Sequence, residues 1–289
     1  VTVTRTIAGL LHEAAGKLRR AGIDDAELEA EVLLRHALAL NDDRAQLFAR
    51  LRETADISAV TSYRGFVRRR LAHEPAAYII GSREFFGLKL ECSPVALIPR
   101  PETELLVELG LEWLARRDRP ARPLVVDVGT GNGALAVALA AHAPTARVVA
   151  IDTSSAALRL AQRNAARHAV DDRVRCLRGD LLGPLGRPAD LVVANLPYVS
   201  EPDWHALPDE IRRHEPRSAL VGGPDGTETI ARLLEQAPAH LAARSLLLCE
   251  CGDRQGDALR AEAALNFPGA RIDVRQDLAG LDRVLRVEL

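Results

Sequence analysis

Between Leu124 and Glu250 the chain alternates short apolar, β-branched runs with stretches of helical character, and this alternation constrains the fold more than any other feature. Strands are expected at Leu124–Val128, Arg147–Asp152, Val174–Arg178, Leu191–Ala194 and Leu246–Glu250. Strand and helix in succession imply a mainly parallel sheet covered on both faces, because each crossover between parallel strands carries a helix over the sheet. The near-continuous apolar character of these runs fits strands that meet protein on both sides. Two later runs, Arg271–Arg275 and Arg283–Val287, are separated by a turn-like L-A-G-L-D with no room for a crossover, so they should pair antiparallel.

The region before this α/β part reads differently. From Thr6 to about Ala72 apolar residues recur at helical spacing, as in Ala30, Leu33, Ala37 and Leu40, with a polar break at Asn41-Asp42-Asp43. Arg68, Arg69 and Arg70 close this helical module beside Phe66, either as a solvated helix face, the commoner use of such a run, or as a nucleic-acid or partner contact. From His73 to Pro101 aromatic and β-branched residues (Tyr78, Ile79, Ile80, Phe85, Phe86) alternate with turn signals at Gly81 and Gly87, as in an extended linker with a hairpin. A helix is expected from about Thr103 to Arg116. The organisation expected is therefore a helical substrate-docking domain over residues 1–75, a linker and β-hairpin over 76–101, and a catalytic domain over 102–289.

Composition narrows the function classes. A chain of 289 residues with 47% hydrophobic residues can bury a substantial core, and a formal net charge of −2 gives no overall electrostatic attraction for nucleic acid. The four cysteines, Cys92, Cys176, Cys249 and Cys251, are too few and too irregularly spaced for a disulfide framework or a four-cysteine zinc site, so no metal is expected. The opening V-T-V-T-R-T-I-A-G-L has no apolar stretch behind a basic segment, and the longest apolar run, Ala134–Ala141, is far too short to span a bilayer. No membrane association is expected, and the location expected is cytoplasmic.

The segment P-L-V-V-D-V-G-T-G-N-G-A-L-A-V-A-L-A runs a buried strand through Asp127 into Gly129, Thr130, Gly131, Asn132 and Gly133 and then into a helix. Glycines at such a turn let the backbone approach a ligand without a Cβ clash and leave the helix N-terminus open. Asp152 ends the next strand, where a carboxylate can accept hydrogen bonds from both hydroxyls of a ribose. A glycine-rich turn alone also fits nicotinamide and flavin proteins, or a turn with no ligand. The G-x-G-x-G spacing, with an acid two positions before the first glycine, resembles the loop that cradles S-adenosylmethionine. Further on, Asp180 and Leu181 follow another strand end: Asp180 either accepts from the adenine amino group with Leu181 on the ring, or acts as an acidic helix cap.

The strand ending at Ala194 leads directly into Asn195, Leu196, Pro197 and Tyr198. An amide or exocyclic amine nitrogen is a poor nucleophile because its lone pair is delocalised, so a site that methylates one must fix and aim it. The Asn195 side-chain oxygen and a following backbone carbonyl can accept two N–H bonds while Tyr198 packs on the flat face. His205 and His214 follow this loop but read as ordinary loop or helix residues.

Taken with R-R-R-L-A-H-E-P-A-A-Y-I-I-G before R-E-F-F-G, S-P-V-A-L-I-P-R-P-E-T-E from Ser93 to Glu104, L-V-G-G-P-D-G and the final D-L-A-G-L-D-R-V, the chain resembles the release factor glutamine methyltransferases, the HemK/PrmC family. The pairing of I-P-R-P-E-T-E with an N-x-P-Y loop is the most discriminating part. The resemblance implies a seven-stranded Rossmann-like S-adenosylmethionine-dependent methyltransferase domain behind a small helical domain and a linking hairpin. It implies methyl transfer to the glutamine of the G-G-Q loop of class 1 release factors. Asn195, Leu196, Pro197 and Tyr198 would then hold the glutamine amide. Asp127 and Gly129 to Gly133, with Asp152, Asp180, Leu181 and Asn195, would hold the cofactor. The family's loop is N-P-P-Y, and Leu196 in place of the first proline is similar to rRNA adenine dimethyltransferases. An N6-adenine methyltransferase acting on RNA or DNA is thus the alternative enzyme, though 3% aromatic residues offer little stacking surface and direct nucleic-acid binding is not expected. A non-catalytic S-adenosylmethionine-binding scaffold is a third reading, opposed by the intact Asn195, Pro197 and Tyr198.

Overall fold

The computed structural model describes residues 6–40, 43–116, 118 and 120–289. They fall into two compact units, residues 1–81 with 209–214, and residues 82–208 with 215–289. The break expected at Asn41 and Asp42 lies outside the described residues.

The first unit is helical: α1 (Ile7–Arg20), α2 (Ala26–Ala37), α3 (Arg44–Ala49), α4 (Ile57–Leu71) and α5 (Ala76–Ile80), joined by α10 (Asp209–His214) from much later in the chain. Its core gathers Ile7, Leu10, Leu18, Leu33, Leu34, Leu47, Tyr63 and Val67 at helical spacing. Thr6 and Asp56 cap α1 and α4 by accepting the amides of Gly9 and Ala59. The stretch Ala76–Ile80, expected to be extended, is a short helix instead. Pro75 supplies a preset φ of −57° before it, Gly81 ends it with a φ of 80°, and Ile79 packs into the helical core.

The basic run at the end of α4 is only in part a solvated face. Arg70 is buried: its Nε donates to Glu29 at 2.9 Å and its Nη2 to Glu210 at 2.6 Å. Arg69 pairs with Glu74 and also reaches the carbonyls of Tyr78 and Ile79. A guanidinium with its donors distributed in this way can be buried, because its charge is met by two carboxylates.

The second unit contains the hairpin β1 (Ser82–Phe85) and β2 (Leu88–Glu91), followed by α6 (Glu104–Leu114), β3 (Leu124–Val128), α7 (Ala134–His142), β4 (Arg147–Asp152), α8 (Ser155–Arg167), β5 (Val174–Arg178), β6 (Ala189–Ala194), β7 (Val199–Ser200), α9 (Glu201–Ala206), β8 (Val221–Gly223), α11 (Glu228–Gln236), β9 (Leu241–Glu250), α12 (Gly256–Asn266), β10 (Arg271–Gln276) and β11 (Asp282–Glu288). Seven strands form one sheet in the order β10-β11-β9-β6-β3-β4-β5. Neighbours from β9 to β5 are parallel, while β11 pairs antiparallel with both β9 and β10. The antiparallel pair follows from the short 277–281 turn, in which Asp277 accepts the amides of Ala279 and Leu281.

Alternate residues of the strands enter two cores. Val125, Leu191, Val193 and Leu248 pack with Trp113 and Leu139 on one face; Val126, Val192, Leu247 and Leu285 pack with Leu233, Leu234 and Leu259 on the other. The hairpin is tied to the sheet side of this unit by Glu91. Its amide donates to Asn164, its carbonyl accepts from Asn164, and its carboxylate takes two bonds from Arg163.

Candidate active site

In the parallel register Val128 sits beside both Ile151 and Ala194, so Gly129, Asp152 and Asn195 leave three adjacent strands at the same level. Here the strand order reverses about β3: β4 and β5 lie on one side, β6 and β9 on the other. The carboxyl ends of strands at such a reversal form the crevice in which doubly wound sheets bind ligands. A cavity of about 530 Å³ opens there, in the size range of small-molecule sites.

The glycine-rich turn lines one wall. Gly129, Gly131 and Gly133 have φ values of 72°, 56° and 86°, which side-chain-bearing residues adopt only at a cost. The amides of Gly129 and Thr130 both donate to Ile151 O at 2.9 Å, and Gly131 N donates to the Asp152 carboxylate at 2.9 Å. Asp127, Thr130 and Asn132 are buried and hold the turn from within. Asp127 Oδ2 accepts from the Thr130 hydroxyl at 2.6 Å and from Ala136 N at 3.0 Å. Its Oδ1 is buried with no hydrogen-bond partner, and burial pushes the Asp127 carboxyl up to about 7. Asn132 accepts from Ala134 N and reaches back with its Nδ2 to the hairpin carbonyl of Glu91. Gly133 does not line the cavity; a Cβ there would lie 3.0 Å from Ala161, so this glycine lets α7 close on α8.

Asp152 is half-buried at the cavity wall. Its Oδ1 accepts from Ser154 N at 2.8 Å and its Oδ2 from Gly131 N, which aims the carboxylate and leaves further lone pairs for a ligand. Asp180 also borders the cavity, but it is half-exposed and ion-paired with Arg232 on α11. No α-helix begins at Asp180, which removes the helix-cap reading. Leu181, with a φ of 48°, is buried and packs into the second core while facing the cavity.

The Asn195–Tyr198 loop forms the opposite wall. Asn195 is half-buried, and its Nδ2 donates to Thr103 Oγ1 at 2.9 Å. Leu196 is buried, and its side chain sits so close to Gly129 that a Cβ there would lie 2.9 Å from it. Pro197 lines the cavity, whereas Tyr198 lies outside it with its hydroxyl donating to Glu250 Oε1 at 3.1 Å. The Tyr198 carbonyl accepts from Gln255 Nε2 at 2.9 Å. Behind the loop, β7 pairs with β8, and Gly222 approaches the Pro197 carbonyl so closely that no side chain fits between them. The segment Leu220–Gly226 therefore braces the loop from behind.

Three groups escaped sequence reasoning. Glu250 ends β9, 1% exposed, and accepts from both Thr103 and Tyr198; burial raises its pKa. Its only sequence signal is an acid closing the apolar run L-L-L-C-E. Thr103 stands in a short 3₁₀ turn, Pro101–Thr103, ahead of α6. Glu215, 5% exposed, accepts from Ile98 N at 3.1 Å and pairs with Arg100, which fixes the strand-like approach to that turn. His205 and His214 do not line the cavity; His214 belongs to the first unit, near the Ala72 carbonyl. Cys249 and Cys251 are buried in the second core.

Comparison with known proteins agrees with this architecture. Residues 9–81 match the family model of the PrmC N-terminal domain, and residues 125–215 match that of a methyltransferase domain. The release factor glutamine methyltransferase of Nitratidesulfovibrio vulgaris is 42% identical over 97% of this chain and 94% of its own length. That of Geobacter sulfurreducens is 40% identical over 97% and 95%. Among solved structures, a methyltransferase from Pyrococcus furiosus shares the fold at a TM-score of 0.52, with 18% identity over 71% of this chain and 90% of that one. The chain uses S-adenosylmethionine, and it belongs to the release factor glutamine methyltransferases, a family of S-adenosylmethionine-dependent protein-glutamine methyltransferases.

Proposed function

We propose that the protein methylates the side-chain amide nitrogen of the glutamine in the G-G-Q loop of a class 1 peptide chain release factor. The observation that carries this reading is the orientation of Asn195: its Nδ2 is taken by Thr103, so its Oδ1 is the acceptor left for a ligand in the cavity. A glutamine amide has two N–H donors on one planar nitrogen. Asn195 Oδ1 and a backbone carbonyl of the following loop can accept both and present the nitrogen's face to the methyl group.

S-adenosylmethionine, when bound, supplies an electrophilic methyl on a sulfonium, and transfer leaves a neutral thioether while the amide nitrogen sheds one proton. The turn from Gly129 to Gly131 would accommodate its methionine part, Asp152 its ribose, and Leu181 the face of its adenine. Asp180, shared with Arg232, would reach the adenine amino group only with part of its acceptor capacity. Because the loop residues contribute position rather than acid or base strength, rate comes from fixing the nitrogen in line with the methyl. The first unit, a helical body of its own, would dock the folded release factor and supply affinity beyond that of the G-G-Q loop itself.

The test is methyl transfer from labelled cofactor to an intact release factor, a short G-G-Q peptide, ribosomal RNA and DNA. One methyl on the G-G-Q glutamine by mass spectrometry, with the intact factor much preferred over the peptide, is expected. Label in adenine and none in the release factor would overturn the reading.

A further inference from the structure

We infer that Glu250 and Thr103 are positioning residues that set which end of the Asn195 amide faces the acceptor. The inference rests on the proposed role of Asn195 and deepens it. The geometry is a chain of three bonds: Asn195 Nδ2 to Thr103 Oγ1 at 2.9 Å, Thr103 Oγ1 to Glu250 Oε2 at 2.7 Å, and Tyr198 OH to Glu250 Oε1 at 3.1 Å. It joins four residues from three segments that are far apart in sequence: Thr103 in the turn before α6, Glu250 at the end of β9, and Asn195 and Tyr198 in the loop after β6.

Counting protons gives the chain a direction. An ionised carboxylate only accepts. Thr103 has a single hydroxyl proton, and beside Glu250 that proton must point at the carboxylate. The threonine oxygen then has only lone pairs to offer Asn195, which must answer with its NH₂ end. The amide oxygen is thereby turned to the other side, where an N–H of the acceptor amide can meet it. With Thr103 donating to Asn195 instead, the amide would present NH₂ to an incoming NH₂, and binding would be repulsive. The two ends of an asparagine side chain are nearly the same shape, so packing alone cannot choose between them. A buried charge two bonds away can. Burial, the largest influence, and the Glu102 charge work against ionisation of Glu250 and raise its pKa, and the Thr103 and Tyr198 hydroxyl donors and the Arg283 guanidinium work for the charged form.

The same wiring explains why a carboxylate is kept at a site that is 1% exposed. A buried acid is costly unless its lone pairs are used. Here each oxygen meets one hydroxyl, one of them from the loop that carries Asn195 and the other from the threonine that contacts it.

The experiment measures kcat, KM for the release factor and cofactor affinity in five variants: Thr103→Val, Thr103→Ser, Glu250→Gln, Asn195→Ala, and the double variant Glu250→Gln with Asn195→Ala. Thr103→Val keeps shape and removes the hydroxyl, and Glu250→Gln keeps shape and removes the charge. Each should lower kcat by roughly 10- to 100-fold, as for a misaligned reacting group, with cofactor affinity unchanged by calorimetry. Thr103→Ser should recover most of what Thr103→Val loses. Glu250→Gln should cost almost nothing further once Asn195 is alanine, because its effect passes through that side chain. Full additivity in the double variant, or unchanged kcat in both isosteric variants, would overturn the inference. Folding is checked by thermal melts. If a melt shows Glu250→Gln unfolded, the Thr103→Val and Thr103→Ser pair decides alone: equal activity in the two overturns the inference, and a serine-specific recovery supports it. The parent enzyme assayed alongside separates this from the function itself. A parent that puts no methyl on glutamine defeats the proposed function; a parent that does, with indifferent variants, defeats only the positioning role.

Discussion

Asp127 and Thr130 are joined by a 2.6 Å hydrogen bond inside the glycine-rich turn, while the other oxygen of Asp127 is buried without a partner. The carboxyl is pushed from 3.8 to about 7, chiefly by burial. With the folded pKa above the unfolded one, the folded chain holds a proton that the unfolded chain has lost between about pH 4 and 7. The stabilisation is complete below pH 4 and is lost as pH rises through 7. Asp127→Asn should remove this slope, so that the parent loses stability relative to the variant by up to roughly 4 kcal/mol across that window. Denaturant midpoints recorded from pH 4 to 8 test it; a constant difference between the two proteins would show that the carboxyl is not perturbed.

Asp152→Ala should weaken S-adenosylmethionine binding by roughly 1.5 to 3 kcal/mol, the value of hydrogen bonds to a charged group. Because Asp152 also holds the amides of Gly131 and Ser154, the alanine variant loosens the turn as well. Asp152→Asn retains one acceptor oxygen and should fall between parent and alanine. Calorimetry giving parental affinity for a folded Asp152→Ala would remove the ribose assignment.

Asn195→Ala should lower kcat far more than it changes cofactor affinity, since on the proposed role it removes the acceptor that orients the reacting amide. Activity within a few-fold of the parent would contradict that role. Tyr198→Phe has a separate signature. Its hydroxyl is spent on Glu250 and its ring lies outside the cavity, so the loss should appear as stability, about 1 to 3 kcal/mol for a buried carboxylate short of one donor.

Gly222→Ala should impair both folding and turnover, because the new methyl would collide with the backbone carbonyls of Pro197 and Gly226, which cannot rotate away. A cost of about 1 to 3 kcal/mol is expected for such overpacking. Gly65→Ala in α4 meets nothing within 4 Å and should be neutral or stabilising by up to about 1 kcal/mol. Thermal unfolding of the pair discriminates; similar melting shifts for both would mean that the close approach at Gly222 is not a constraint.

Sequence periodicity carried the sheet far. Each strand from Leu124 to Arg178 begins and ends where its apolar run does, and the antiparallel closing pair follows from the length of one turn. The glycine spacing and the two acids at strand ends marked the cavity wall because those features are local. What was not legible depends on distant partners. Ala76–Ile80 has aromatic and β-branched composition, yet the packing of Ile79 into the helical core overrides that propensity. Arg70 read as part of a solvated face or an intermolecular contact, because Glu29 and Glu210, which bury it, lie 41 and 140 residues away. Glu250 looked like any strand-end acid, since nothing near it in sequence shows that Thr103 and Tyr198 converge on it.

The six residues Asp209–His214 belong to the helical unit although β3 to β7 are made before them. On a chain emerging from the ribosome, the first unit cannot be completed until residue 214 has been synthesised, and until Glu210 is made Arg70 waits with half of its counter-charge missing. The same threading defines what a chimera must exchange. The helical unit of this chain, moved to another host by a single junction after Gly81, would leave its own α10 behind. Exchanging the whole helical unit therefore calls for two grafts, the long amino-terminal segment and this short insert, made together.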